Sequence, residues 1–112
     1  MPLLNIKTNC PVNDKNNLAL AASKLTAEVL GKPESYVMVN IDDNQALVFA
    51  GNDQPAAYLE LKSLGLPESK TATISARLCA FMNEKLDIDS GRVYIEFSNA
   101  ERHMWGWKGG TF

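Results

Sequence analysis

The chain of 112 residues fits one domain spanning 1–112 and leaves no room for two. Its composition, 46% hydrophobic and 21% charged, is ordinary for a globular protein, and its net charge of −2 comes from 13 acidic and 11 basic side chains with no basic run. That distribution argues against nucleic acid or an anionic membrane as partner, while a domain of this size buries only about two-thirds of its unfolded surface and would gain from self-association.

In chain order, Leu4 and Ile6 alternate with polar neighbours between Pro2 and Thr8, which predicts a short strand ended by Asn9, Cys10 and Pro11. Leu18, Ala22, Leu25 and Val29 then recur at steps of four, three and four, the stripe of an amphipathic helix. Asn13 or Asp14 is placed to cap its start, Gly31 sits where a C-terminal cap belongs, and Pro33 forbids continuation. A second strand is expected over Tyr36–Asp42, a turn at Asp43 and Asn44, and a third strand over Ala46–Phe49. After Pro55, the run containing Leu59, Leu61 and Leu64 alternates again. A second helix is expected from Ser69 to Lys85 with Ile74, Leu78, Phe81 and Met82 as its buried face, followed by a strand over Arg92–Phe97. The tail from Asn99 is polar first, then rich in Trp and Gly.

Leu30–Ile41 aligns without a gap on Leu86–Phe97, at an offset of 56 that is half of 112. Val37 meets Val93, Val39 meets Ile95 and Ile41 meets Phe97. Each half therefore reads strand, helix, strand. A crossover helix between strands of one sheet makes a right-handed parallel βαβ unit. Two such units side by side predict an α/β (α+β) fold: a four-stranded sheet with both helices on one face.

No window approaches the ~20 apolar residues of a membrane span. The opening Met1–Lys7 is too short in its apolar part for a signal peptide, so a cytoplasmic location is expected. Cys10 and Cys79 form no CxxC and read as free thiols. Nothing in the sequence demands a metal, nucleotide or covalent cofactor. Asp42, Asp43, Asp87 and Asp89 read as turn residues before metal ligands, and His103 has no partner that spacing identifies.

Several short stretches, in this order and spacing, carry a resemblance: Met1-Pro2, Thr8-Asn9-Cys10-Pro11, Gly31-Lys32-Pro33, Tyr36, Phe49-Ala50-Gly51, Ser63-Leu64-Gly65, Arg92-Val93-Tyr94-Ile95, Gly106-Trp107 and Thr111-Phe112. Together they resemble the macrophage migration inhibitory factor family of the tautomerase superfamily, along nearly the whole chain. The resemblance implies two βαβ repeats assembled as a homotrimer, with active sites in clefts between adjacent subunits and Pro2 at the bottom of each. It implies an isomerase that tautomerises phenylpyruvate-like and dopachrome-like compounds without a cofactor. Some family members act as extracellular cytokines, so a receptor-binding ligand exported by a non-classical route is the alternative. The family's CxxC positions are Ala56 and Leu59 here, which counts against thiol oxidoreductase activity of that type.

Removal of Met1, usual before proline, would leave Pro2 with a secondary amine. Burial in an apolar cleft beside Lys32 disfavours the protonated form and lowers its pKa towards that of a useful general base. With Met1 retained the same nitrogen is an amide and cannot act. Lys32 reads either as a cation at a helix terminus or, by the resemblance, as the partner of a substrate carboxylate. The main-chain N–H of Leu64 is implied as a second carboxylate contact. Tyr94 is implied to reach the neighbouring subunit's cleft, with packing as the plainer role. Glu96 stands where family members often carry an Asn that binds substrate, and an acid there repels a carboxylate unless protonated or turned away. Trp107 and Phe112 match a wall for an aromatic ring, Tyr36 is placed to line the same pocket, and Phe112 reads equally as trimer packing.

Overall fold

The computed structural model describes residues 1–112. The main elements are β1 (Leu3–Thr8), α1 (Lys15–Leu30), β2 (Met38–Asp42), β3 (Ala57–Leu64), α2 (Thr71–Leu86) and β4 (Val93–Ala100). A two-residue hairpin, β5 (Gly106–Trp107) and β6 (Gly110–Thr111), closes the chain. The sheet order is β2-β1-β3-β4. β1 runs parallel to β2, β3 parallel to β4, and the two units meet antiparallel along β1 and β3.

The repeat read from the sequence is present throughout each half. The helices are both 16 residues long, and residues 15 and 30 map onto 71 and 86 at the same offset of 56. Gly31 and Asp87, equivalent under that offset, both end their helices in the left-handed region at φ 63° and 55°. Glycine adopts that conformation without steric cost, and Asp is among the few other residues that tolerate it. At the other end of α1, the Asp14 carboxylate accepts from the main-chain N–H of Asn17 at 3.0 Å, satisfying a donor the helix leaves open.

Both helices cover the same face of the sheet. Leu4 and Ile6 of β1 and Leu59 and Leu61 of β3 are fully buried against Leu18 and Ala22 of α1 and Ile74, Leu78 and Met82 of α2. Full burial of each large apolar side chain contributes about 1.5–3 kcal/mol, which fixes the register, because a slip of one residue would turn every one of them outwards. The opposite face, free of helices, carries Leu3, Asn5 and Lys7, then Tyr58, Glu60 and Lys62, then Tyr94, Glu96 and Ser98.

Two expectations are corrected. Ala46–Phe49 is not a strand: its one ladder contact is an isolated bridge between Phe49 and Asn52. Two side chains take over the hydrogen bonding there. Asn9 Nδ2 donates to the carbonyls of Leu47, Asp53 and Gln54, and Asn9 Oδ1 accepts from Ala56 N. Arg92 donates to the carbonyls of Phe49, Asn52, Gln54 and Pro55. With these main-chain groups satisfied by side chains, an apolar segment stays in a loop at the rim. The second strand also starts later than expected, at Met38, because Glu34–Tyr36 form a 3-10 turn after Pro33.

Candidate active site

Pro2 enters the sheet at the head of β1, and its carbonyl accepts from Met38 N at 3.0 Å. Its side chain is fully buried. The amine of this chain is on Met1, one residue outwards, and its pKa is lowered first by burial and then by the charge of Lys32. Both causes disfavour the protonated form. Lys32 follows the left-handed Gly31, and that turn aims its ammonium at the end of β3, where Nζ donates to the Leu64 carbonyl at 2.8 Å.

Beside this end of the sheet the C-terminal hairpin builds an aromatic wall. Tyr36 meets Trp107 edge to face with ring centroids 6.0 Å apart, and Trp107 stacks on Phe112 at 5.4 Å. Phe112 is held by its own N–H on the Trp105 carbonyl and by Arg102 Nε on its main-chain oxygen. The tight hairpin needs two residues with positive φ, Lys108 at 52° and Gly109 at 78°. Lys32 and Leu64 are thus brought together, as are Tyr36, Trp107 and Phe112, at the end of the molecule where the chain begins.

Tyr94 and Glu96 are elsewhere in the single chain. Leu3 is paired with Lys62, whereas Tyr94 is paired with Tyr58. Four residues of β3 separate those positions, roughly 13 Å along the strand. Tyr94 is 66% exposed and meets Phe49 edge to face at 4.9 Å, so it is not a core residue. Glu96 is neither free nor buried: Tyr58 Oη donates to its Oε1 at 2.6 Å. That bond, more than burial or the nearby carboxylates, pushes the Tyr58 phenol up to about 12.

Sequence reasoning passed over Tyr58, and it quoted Phe49, Asn9 and Arg92 only as ends of elements or within the stretches that carry the resemblance, without a functional role. The alternation of β3 does carry a signal for Tyr58, since it must face away from the buried Leu59 and Leu61. Nothing local marks Asn9 or Arg92, whose partners lie 37 to 47 residues away. Cys10 and Cys79 are free thiols. No helix is long and apolar enough to cross a membrane, and no group of three or more His, Cys, Asp or Glu side chains is gathered as for a metal ion.

Paired βαβ units on one sheet, a buried proline at the head of its first strand and a lysine beside the amine define a tautomerase-superfamily protein. The family model described as "Macrophage migration inhibitory factor (MIF)" matches residues 1–112. A macrophage migration inhibitory factor homolog from Brugia malayi is 39% identical, with 100% of this chain and 99% of the relative covered. The crystal structure of the homologue from Prochlorococcus marinus superimposes with a TM-score of 0.93 at 40% identity, covering 98% of both chains. The structure of the factor from Trichinella spiralis gives 0.92 at 37% identity, covering 98% of this chain and 99% of the other. The chain belongs to the macrophage migration inhibitory factor family.

Proposed function

We propose that this chain is a cofactor-independent keto–enol tautomerase of aromatic α-keto acids such as phenylpyruvate, with the free amine of Pro2 as general base. The supporting observation is the partly buried N-terminus: desolvation and Lys32 already depress the amine of Met1, and Pro2 lies deeper still, fully buried. Removal of Met1 moves the amine inwards by one residue, about 3.8 Å between Cα atoms, into the more desolvated position.

In the proposed reaction the substrate carboxylate meets Lys32, joined by the Leu64 main-chain N–H, and the ring lies against Tyr36, Trp107 and Phe112. The neutral Pro2 nitrogen takes a proton from the carbon beside the ketone, and the electron pair moves to the carbonyl oxygen. The ammonium then returns the proton to that oxygen, giving the enol, and the reverse path returns the ketone. Atoms balance without any cofactor. Positioning and charge stabilisation supply the remainder of the rate.

The single domain of residues 1–112 works as a homotrimer in this reading, because Tyr94 and Glu96 can join Pro2 only from an adjacent subunit. A soluble, cytoplasmic enzyme is the matching location. Pro2→Gly, in protein whose intact mass shows loss of Met1, should lower phenylpyruvate turnover at least ~100-fold while preserving assembly; unchanged turnover would remove Pro2 from the mechanism. The relatives' name favours a second reading, a cytokine-like ligand. Receptor binding of that kind would survive chemical blocking of the amine, whereas tautomerisation would not.

A further inference from the structure

The C-terminal hairpin carries the aromatic wall, yet little in it is rigid of itself. Three of the seven residues from Gly106 to Phe112 are glycine, each strand is two residues long, and every residue from Gly106 to Thr111 is exposed. Glycine loses the most backbone freedom on ordering, and a lone two-stranded hairpin is marginal in water. Burial therefore contributes little to holding the wall, and specific contacts decide its position. Three hydrogen bonds form a closed circuit there. The Arg102 carbonyl accepts from Trp105 N at 3.3 Å, the Trp105 carbonyl accepts from Phe112 N at 3.2 Å, and the Phe112 main-chain oxygen accepts from Arg102 Nε at 3.1 Å. The first two links join main chain to main chain, and any residue but proline can supply them. The third needs this side chain. Glu101 and His103, on either side of Arg102, lie against each other at 3.6 Å, while Arg102 reaches across ten residues to Phe112. Phe112 in turn stacks on Trp107, whose ring meets Tyr36. One exposed side chain thus ties Phe112, and through it Trp107, to the turn before the hairpin.

We propose that Arg102 is a positioning residue: its Nε–H bond to Phe112 holds the Trp107–Phe112 stack ready for an aromatic ring, and so sets a preference for aromatic over aliphatic α-keto acids. The inference rests on the proposed tautomerase reading, in which that wall takes the substrate ring. A preformed wall spares the substrate the cost of ordering a glycine-rich segment on binding. An aliphatic α-keto acid presents the same carboxylate and ketone to Lys32 and Pro2 but lays no ring on the wall, so it gains nothing from that order. The effect falls on binding, because the stack meets the ring and not the carbon that loses its proton.

Two substitutions separate the donor from the rest of the side chain. Arg102→Met removes it at similar length, and Arg102→Gln keeps an N–H at the position of Nε without the charge. Exchange of the protons beside the ketone in heavy water, followed by NMR, reads phenylpyruvate and 2-oxobutanoate in one assay. Arg102→Met should raise KM for phenylpyruvate about fivefold with kcat within about twofold of wild type, the usual effect of one hydrogen bond. The ratio of kcat/KM for phenylpyruvate to that for 2-oxobutanoate should fall by the same factor. Arg102→Gln should stay within about twofold of wild type. An unchanged ratio in Arg102→Met overturns the proposal, as does a loss that Arg102→Gln shares. Both tryptophans of the chain, Trp105 and Trp107, lie in this segment, so acrylamide quenching of their fluorescence reads its order without any turnover. Quenching should be stronger in Arg102→Met than in wild type or Arg102→Gln; equal quenching in all three also overturns the proposal. Wild-type protein that exchanges neither substrate, with quenching that follows the donor, removes the tautomerase reading and leaves the Arg102 anchor. Exchange of both substrates with an unmoved ratio does the reverse.

Discussion

Lys32 joins three separate physical effects in one side chain. It lies just past a left-handed helix end, is anchored on the Leu64 carbonyl at 2.8 Å, and repels a proton from the N-terminal amine. Its charge therefore acts on any bound carboxylate and on the proposed base together. The sign of a substitution follows directly. Removing the like charge favours the protonated amine, so the base needs a higher pH to become neutral. Lys32→Gln should shift the acid limb of the kcat/KM profile for phenylpyruvate to higher pH and raise KM as well. A lowered kcat/KM with an unmoved acid limb would assign Lys32 to carboxylate binding alone. At this scale much was legible: Met1-Pro2 and Gly31-Lys32-Pro33 are short local motifs whose residue types name their chemistry, although the Leu64 carbonyl that anchors Lys32 lies 32 residues away. The state of Glu96 was not. Its hydrogen bond comes from Tyr58, 38 residues away on another strand.

Elements obeyed their periodicities where burial on one face enforced them. The stripes of α1 and α2 and the alternation of β1 and β3 each point large apolar groups at a common core, so pattern and packing agree. The Ala46–Phe49 segment departed because strand propensity competes with specific side-chain donors, and Asn9 and Arg92 supply those from distant positions. A comparable clamp holds the turn after β2. Asp43 accepts from Val12 N at 3.0 Å and from Lys15 at 3.3 Å, tying that turn to the segment before α1. Its carboxyl is held below its ordinary value of 3.8, first by the Val12 N–H and, against the opposing effect of desolvation, also by Lys15. A depressed native pKa contributes stability above the unfolded value, and that contribution disappears as the pH falls through the native one. Thermal melts of the wild type should therefore drop more steeply below pH 4 than those of Asp43→Asn, which lacks the ionisation. Parallel acid-side slopes in the two proteins would show that the Val12 and Lys15 contacts are not coupled to folding.

Across the whole molecule, the proposed site residues fall into two groups at opposite ends of the sheet. Pro2, Lys32, Leu64, Tyr36, Trp107 and Phe112 gather at one end, whereas Tyr94 stands about 13 Å along the strands towards the other, with Glu96 two residues nearer on the same strand. The homotrimer proposed above, with clefts shared between subunits, is the arrangement that would reunite them. That arrangement makes a strict prediction about mixtures. In a cleft between subunits, Pro2→Gly chains still offer Tyr94 and Tyr94→Ala chains still offer Pro2. Denaturing and refolding the two variants together should give some clefts with both native residues, and turnover well above that of either variant alone. Activity no greater than the average of the separate variants would show that each chain carries its whole site. The mass of the native particle, three chains or one, gives the parallel check.

The amino-acid sequence by itself determined the doubled βαβ plan, the buried faces and the short motifs around Pro2 and Lys32. These rest on local periodicity, on turn chemistry and on a repeat that each half states independently. Only the tertiary structure decided that residues 46–49 form a loop, that Tyr58 engages Glu96, and that Tyr94 stands apart from Pro2 within one chain. Those outcomes depend on which distant groups satisfy a hydrogen bond and on strand register, and no local pattern encodes a partner dozens of residues away.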